Sequence, residues 1–187
     1  EYCILEKNEE ITMPSSPVKS INLGLYVARL IHTNLAVANA SAWQWWTAVS
    51  LNEDVPLWLQ PMEGSSGESV KYDGRVVTTK MFWATANYSF FVRPGMRRVD
   101  VRAVDREVSP LEAATSLMVS SYTDGAQVVT VFVNYADADK SIALKCDNAR
   151  KGKMYVTSID KDLQYVGKQP LDALVIPARS IVTVVVD

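Results

Sequence analysis

The sequence predicts a mixed architecture: two parallel βα units followed by an antiparallel β-sandwich. Three observations carry this. All five tryptophans (Trp43, Trp45, Trp46, Trp58, Trp83) and three of the four phenylalanines fall in residues 1–93. Residues 94–187 hold one phenylalanine, Phe132, but sixteen of the twenty-five valines, at spacings that alternate with period two. The composition changes at Arg93-Pro94-Gly95, where the residue before proline is steered out of the helical region. The expected domain boundary lies there, giving units 1–93 and 94–187.

The chain has 187 residues, 48% hydrophobic and 21% charged, with a net charge of −2. This balance is that of a globular protein and argues against disorder. It offers no basic stripe for nucleic acid, and no apolar run approaches the length of a membrane span. Cys3 and Cys146 stand far apart with His32 the sole histidine, so neither a metal site nor a disulfide framework is expected.

Element by element, Tyr2-Cys3-Ile4-Leu5 reads as a strand entered partway, without an initiator methionine or leader. The expectation is the C-terminal piece of a longer protein. Ser16-Pro17 is a helix start, a hydroxyl before a proline at the first helical position. After it, Ile21, Leu25, Ala28, Ile31 and Leu35 recur at helical spacing, until Asn39-Ala40-Ser41 ends the element. Residues 42–49 (Ala42-Trp43-Gln44-Trp45-Trp46-Thr47-Ala48-Val49) read as an aromatic-rich strand. Residues 50–76 are expected to form a long polar loop of functional type. Thr78-Thr79 begins a second helix through Met81, Phe82, Ala86 and Phe90.

Beyond Pro94, residues 99–103 and 128–133 alternate as strands, and Asp124-Gly125 signals a two-residue hairpin turn. Residues 142–144, 154–158, 174–176 and 181–186 complete a set of short strands typical of an antiparallel sandwich.

Few residues here suggest chemistry. Glu1 reads either as a frayed terminal residue or as a carboxylate at a strand end, where barrel enzymes gather their catalytic groups. Retaining glycosidases need such a carboxylate as nucleophile, paired with a second carboxyl about 5 Å away. In the aromatic strand, Trp43 and Trp45 point to one face and Gln44 and Trp46 to the other. Indole rings stack on the C–H faces of sugars, and they also fill cores; both readings stay open. His32 reads as structural, Glu6, Glu9 and Glu10 as a solvated rim, and Cys3 as a small buried residue. Asn39-Ala40-Ser41 and Asn87-Tyr88-Ser89 match the glycosylation pattern.

Three segments carry a family resemblance: Glu1-Tyr2-Cys3-Ile4-Leu5, Ala42-Trp43-Gln44-Trp45-Trp46, and residues 87–95 (Asn87-Tyr88-Ser89-Phe90-Phe91-Val92-Arg93-Pro94-Gly95). Together they resemble the last third of a glycoside hydrolase family 30 enzyme, most of all its endo-β-1,6-galactanase-like branch. The resemblance implies the last two βα units of a (β/α)8 TIM barrel followed by a β-sandwich side domain. It implies Glu1 as nucleophile, Trp45 as the tryptophan lining the subsite around the scissile sugar, and Trp43 as a second candidate on the same strand face. Residues 77–92 would be the eighth barrel helix. The acid/base glutamate would lie in an N-terminal remainder of the barrel, outside this chain, leaving the fragment alone inactive. The implied partner is a polysaccharide or oligosaccharide, plausibly β-1,6-galactan, with no metal or cofactor and an extracytoplasmic location. The alternative, from a different class, is a noncatalytic carbohydrate-binding or accessory sandwich module.

Overall fold

Apolar stripes and alternating runs find their partners in three layers: a pair of helices, a six-stranded sheet, and a small two-stranded sheet. The computed structural model describes residues 2–3, 20–52, 54–62, 73–146 and 149–187. Ser16-Pro17, Glu6, Glu9 and Glu10 lie outside the described residues.

Helix α1 spans Ile21–His32, and its predicted stripe Ile21, Leu25, Ala28 and Ile31 is buried. A π-helical turn over Thr33–Val37 prolongs it. Asn39 then adopts a left-handed conformation (φ 56°), a common way for asparagine to end a helix. Helix α2 spans Lys80–Ser89. Its N-cap residue, Thr79, spends its hydroxyl on the loop behind it, donating to Val55 O at 2.8 Å. The two helices cross at Gly24, where a β-carbon would sit 3.0 Å from Lys80 O. Glycine is therefore what allows this close approach.

The aromatic segment 42–49 is not a continuous strand. Trp45 forms an isolated parallel bridge to Tyr2, and only Val49–Ser50 (β1) is laddered beyond it. A strand exists only where a neighbour supplies the ladder, and among the described residues Tyr2 is the neighbour of the tryptophan segment. The expected loop 50–76 also differs. It contains β2 (Leu57–Pro61) and β3 (Gly74–Thr78), paired antiparallel, with β1 parallel to β2. Pro61, at the end of β2, masked the short apolar run Leu57-Trp58-Leu59 in the sequence reading.

The large sheet has the order β4-β5-β6-β11-β8-β9, with all pairs antiparallel. Its members are β4 (Arg97–Val99), β5 (Leu117–Thr123), β6 (Val128–Asn134), β8 (Lys151–Thr157), β9 (Gln164–Pro170) and β11 (Ser180–Val186). The lone helical turn α3 (Pro110–Ala113) precedes β5, and β7 (Lys140–Ile142) pairs with β10 (Leu174–Ile176) in the second sheet. Strand β11 is buried along its full length. Ile181 and Val185 face the core shared with α1 and α2, while Val182, Val184 and Val186 face the core under β7 and β10. The β-branched run Ile181-Val182-Thr183-Val184-Val185-Val186 suits a strand covered on both faces.

Three expectations need correction here. The strand foreseen over 99–103 stops at Val99, and Val104 is 84% exposed because no neighbouring strand pairs there among the described residues. The Asp124-Gly125 hairpin forms, but Thr123 pairs with Val128, so the loop has four residues. Asp124 Oδ1 accepts from the N–H groups of Ala126 (2.9 Å) and Gln127 (3.0 Å), bracing that longer turn. Strand β9 was not foreseen; its polar residues Gln164, Lys168 and Gln169 suit an edge strand, whose alternation is weak.

Helix α2 is fastened to the sheet by a buried polar network. Asn87 is fully buried and donates to Thr157 Oγ1 at 2.7 Å and Trp83 O at 2.8 Å. Thr183 Oγ1 donates within 2.9 Å of both Asn87 O and Oδ1. The Asn87-Tyr88-Ser89 match to the glycosylation pattern is thus a packing feature. Lys80 is also buried, and its ammonium donates to Asp162 Oδ1 at 2.6 Å and Lys161 O at 3.1 Å.

Candidate functional site

The candidate site is built where Tyr2 meets the tryptophan segment. Tyr2 N–H donates to Gln44 O, and Trp46 N–H donates to Tyr2 O, both at 2.8 Å. This two-bond bridge sets residues 2 and 45 side by side and parallel. Their rings lie 5.8 Å apart, and Trp43 lies 5.9 Å from Trp45 on the same face. That face looks toward α1: the Tyr2 and Tyr26 hydroxyls are hydrogen-bonded at 3.2 Å. The bond to Tyr26, reinforced by burial, pushes the Tyr2 phenol up to about 12.

Trp43 and Trp45 are half-buried and pack on the helix-side core. The indole Nε1 of each is shielded from solvent and has no hydrogen-bond partner among the described residues. Gln44 and Trp46 stand on the opposite face, and Trp46 is 64% exposed. Burial therefore separates two kinds of indole, one pair engaged in packing and one ring exposed. The sequence reading placed the sugar-facing role on Trp45 and Trp43. The signal that separates Trp46 from them is its position beside Gln44, on the face away from the apolar stripe of α1. Glu1, the residue before Tyr2, lies outside the described residues.

The surroundings hold this strand end in place. Trp58 Nε1 donates to Leu51 O at 3.2 Å, closing the loop after β1. On the α1 side, the Arg29 guanidinium lies 5.5 Å from the Tyr26 ring and 4.6 Å from that of Tyr135. Arg179 lies 4.8 Å from the same Tyr135 ring and donates to Tyr135 O at 2.6 Å and to Asn22 Oδ1. These cation–π steps run from α1 to the residues that flank β6 and β11.

His32 is buried, and desolvation lowers its pKa to about 4. It is neutral at physiological pH and takes no part in the site. Cys3 and Cys146 are half-buried cysteines. Among the described residues no group of three or more His, Cys, Asp or Glu side chains is placed to hold a metal ion, and no helix is long and apolar enough to cross a membrane.

Residues 1–54 match the family model described as O-Glycosyl hydrolase family 30. No curated protein matches the sequence. Among solved structures, a conserved exported protein from Bacteroides fragilis is 66% identical, with a TM-score of 0.95 over 99% of this chain and 38% of that one. A family 30 endoxylanase from Clostridium papyrosolvens C71 is 21% identical, with a TM-score of 0.63 over 90% of this chain and 39% of its own. The family 30 subfamily 8 xylanase Xyn30A from Clostridium acetobutylicum is 19% identical, with a TM-score of 0.65 over 94% of this chain and 40% of its own. The chain spans about two-fifths of the length of these structures. It is thus similar to glycoside hydrolase family 30 proteins, in sequence over residues 1–54 and in fold over nearly its whole length.

Proposed function

We propose that this chain is the C-terminal portion of a retaining β-glycoside hydrolase of family 30 that acts on polysaccharide outside the cytoplasm. In this reading residues 1–93 are the last part of a (β/α)8 barrel and residues 94–187 its β-sandwich side domain. Glu1 is the nucleophile. Its carboxylate attacks the anomeric carbon while a carboxyl group from the preceding part of the protein protonates the leaving oxygen. Water then releases the sugar from the glycosyl-enzyme, assisted by the same second carboxyl acting as base.

The observation that carries this reading is the parallel pairing of Tyr2 with Trp45. It sets the position after the carboxylate against a segment that offers one exposed indole and one amide on a single face. Trp46 supplies the ring on which a sugar face stacks, and Gln44 an amide for its hydroxyls. Trp45 and Trp43 form the wall behind them and fix the strand to α1. The fold likeness to the exported and xylan-cleaving proteins supports the same class. β-1,6-Galactan is the proposed substrate on the sequence resemblance, with β-1,4-xylan as the competing polymer.

The test is Glu1→Gln in the whole protein. Turnover of β-linked polysaccharide should vanish while oligosaccharide binding persists. Undiminished hydrolysis would reject the proposal, and cleavage of xylan without cleavage of β-1,6-galactan would reject the substrate assignment alone.

A further inference from the structure

A second group of aromatic rings lies where the C-terminal end of α2 meets the edge of the large sheet. Four rings follow one another there: Phe90 to Phe91 at 5.1 Å, Phe91 to Tyr155 at 4.6 Å, and Tyr155 to Tyr165 at 5.1 Å between centroids. The inner ring Phe91 is buried, whereas the outer rings Phe90 and Tyr165 are 67% and 52% exposed. Contiguous exposed apolar surface is what binding sites use, and this row ends in two exposed rings.

Three lysines stand along the strands that carry the rings. Along β8 the pleat puts Lys151, Lys153 and Tyr155 on the face opposite Gly152, Met154 and Val156, which are buried. In the β8–β9 ladder Lys153 stands across from Lys168, and Tyr155 across from Tyr165. Like charges placed opposite each other in a ladder are unfavourable. Asp187 answers one of them, 2.6 Å from the Lys153 ammonium. Lys151 and Lys168 are exposed and have no ion-pair partner among the described residues. The row thus joins sugar-sized apolar faces to uncompensated ammonium groups.

We propose that this surface, Phe90, Tyr155 and Tyr165 flanked by Lys151 and Lys168, is a binding site for a carboxylate-bearing polysaccharide chain. It rests on the glycan-acting reading above and adds to it a second contact for the polymer. The rings take the sugar faces, and the lysines take the uronate carboxylates.

Affinity electrophoresis of the whole protein in gels containing polygalacturonate, or the same polymer after reduction of its carboxyl groups, tests this. Retardation by polygalacturonate alone, weakened about tenfold by Tyr165→Ala and by Lys168→Ala, is the expected result. Both residues are exposed, and circular dichroism of each variant checks that the fold is kept. Free migration of the wild type, equal retardation of the variants, or equal retardation in the reduced polymer would overturn the proposal. Hydrolysis of neutral β-linked oligosaccharides, measured in parallel, separates the two claims. Hydrolysis without retardation rejects only this surface, and retardation without any hydrolysis rejects the enzyme reading.

Discussion

Replacing Trp46 by alanine tests its proposed sugar-stacking role, with Trp45→Ala as the packing counterpart. A tryptophan side chain offers up to about 250 Å² of surface. With Trp46 64% exposed, roughly 160 Å² is open to solvent, and a sugar stacked on one face covers about half of it. At about 25 cal/mol per Å² this amounts to ~2 kcal/mol, or about thirtyfold in binding. The same exposure means that truncation removes little packing, so the stability change should stay within about 0.5 kcal/mol. Trp45 presents the reverse case: its ring sits against Tyr2, Trp43 and the helix-side core. Its truncation should destabilise the fold by about 2–3 kcal/mol, below the 3–5 kcal/mol of a fully buried indole. Isothermal titration with an oligosaccharide, on a Glu1→Gln background to prevent turnover, reads binding, and urea unfolding reads stability. Unchanged binding in Trp46→Ala, or a binding loss in Trp45→Ala with no loss of stability, would refute the assignment of roles.

Further predictions concern the scaffold. Asn87→Ala removes the donor to Thr157 and one of two acceptors for Thr183 inside the helix–sheet interface. It should cost about 2–3 kcal/mol in urea unfolding, because buried hydroxyls lose partners. Gly152→Ala would place a β-carbon 2.6 Å from Val184 Cγ1, beneath the second sheet. The overpacking should cost about 1–3 kcal/mol, seen as a lower unfolding midpoint. His32 has a folded pKa of about 4 against 6.5 when unfolded, because burial disfavours the cation. The unfolded chain therefore takes up the proton first as pH falls. Its contribution is complete above about pH 6.5, declines from there to pH 4, and amounts to about 3 kcal/mol at most. His32→Gln should flatten the stability profile over that window, and an unchanged slope would contradict the burial argument.

The parts of this fold legible in the sequence were those in which one period dominates. The α1 stripe and the valine runs of β6 and β11 repeat at 3.6 or 2 residues because each faces a continuous core. The Asp124-Gly125 turn was readable through its side-chain chemistry, although Thr123 and Gln127 lengthen it by bonding across the loop (2.7 Å). What stayed hidden depends on partners remote in sequence. β9 is an edge strand whose pairing with β8 is irregular between Lys153 and Tyr155. Asn87 reads as a surface residue until Thr157 and Thr183, from two strands, surround it. In the site, alternation sorted Trp43 and Trp45 from Gln44 and Trp46. Which pair meets water was decided by where α1 lies, through the Tyr2–Tyr26 bond, and no local pattern encodes that.

Covalent trapping tests the central claim most directly. The whole protein is incubated with a 2-deoxy-2-fluoro β-glycoside bearing a good leaving group, whose glycosyl-enzyme forms readily and hydrolyses slowly. Peptide mass spectrometry then locates the adduct. The account predicts a single glycosyl ester on the Glu1 carboxylate, lost in Glu1→Gln. An adduct on any other residue, or steady hydrolysis of the natural polymer by Glu1→Gln, would contradict it.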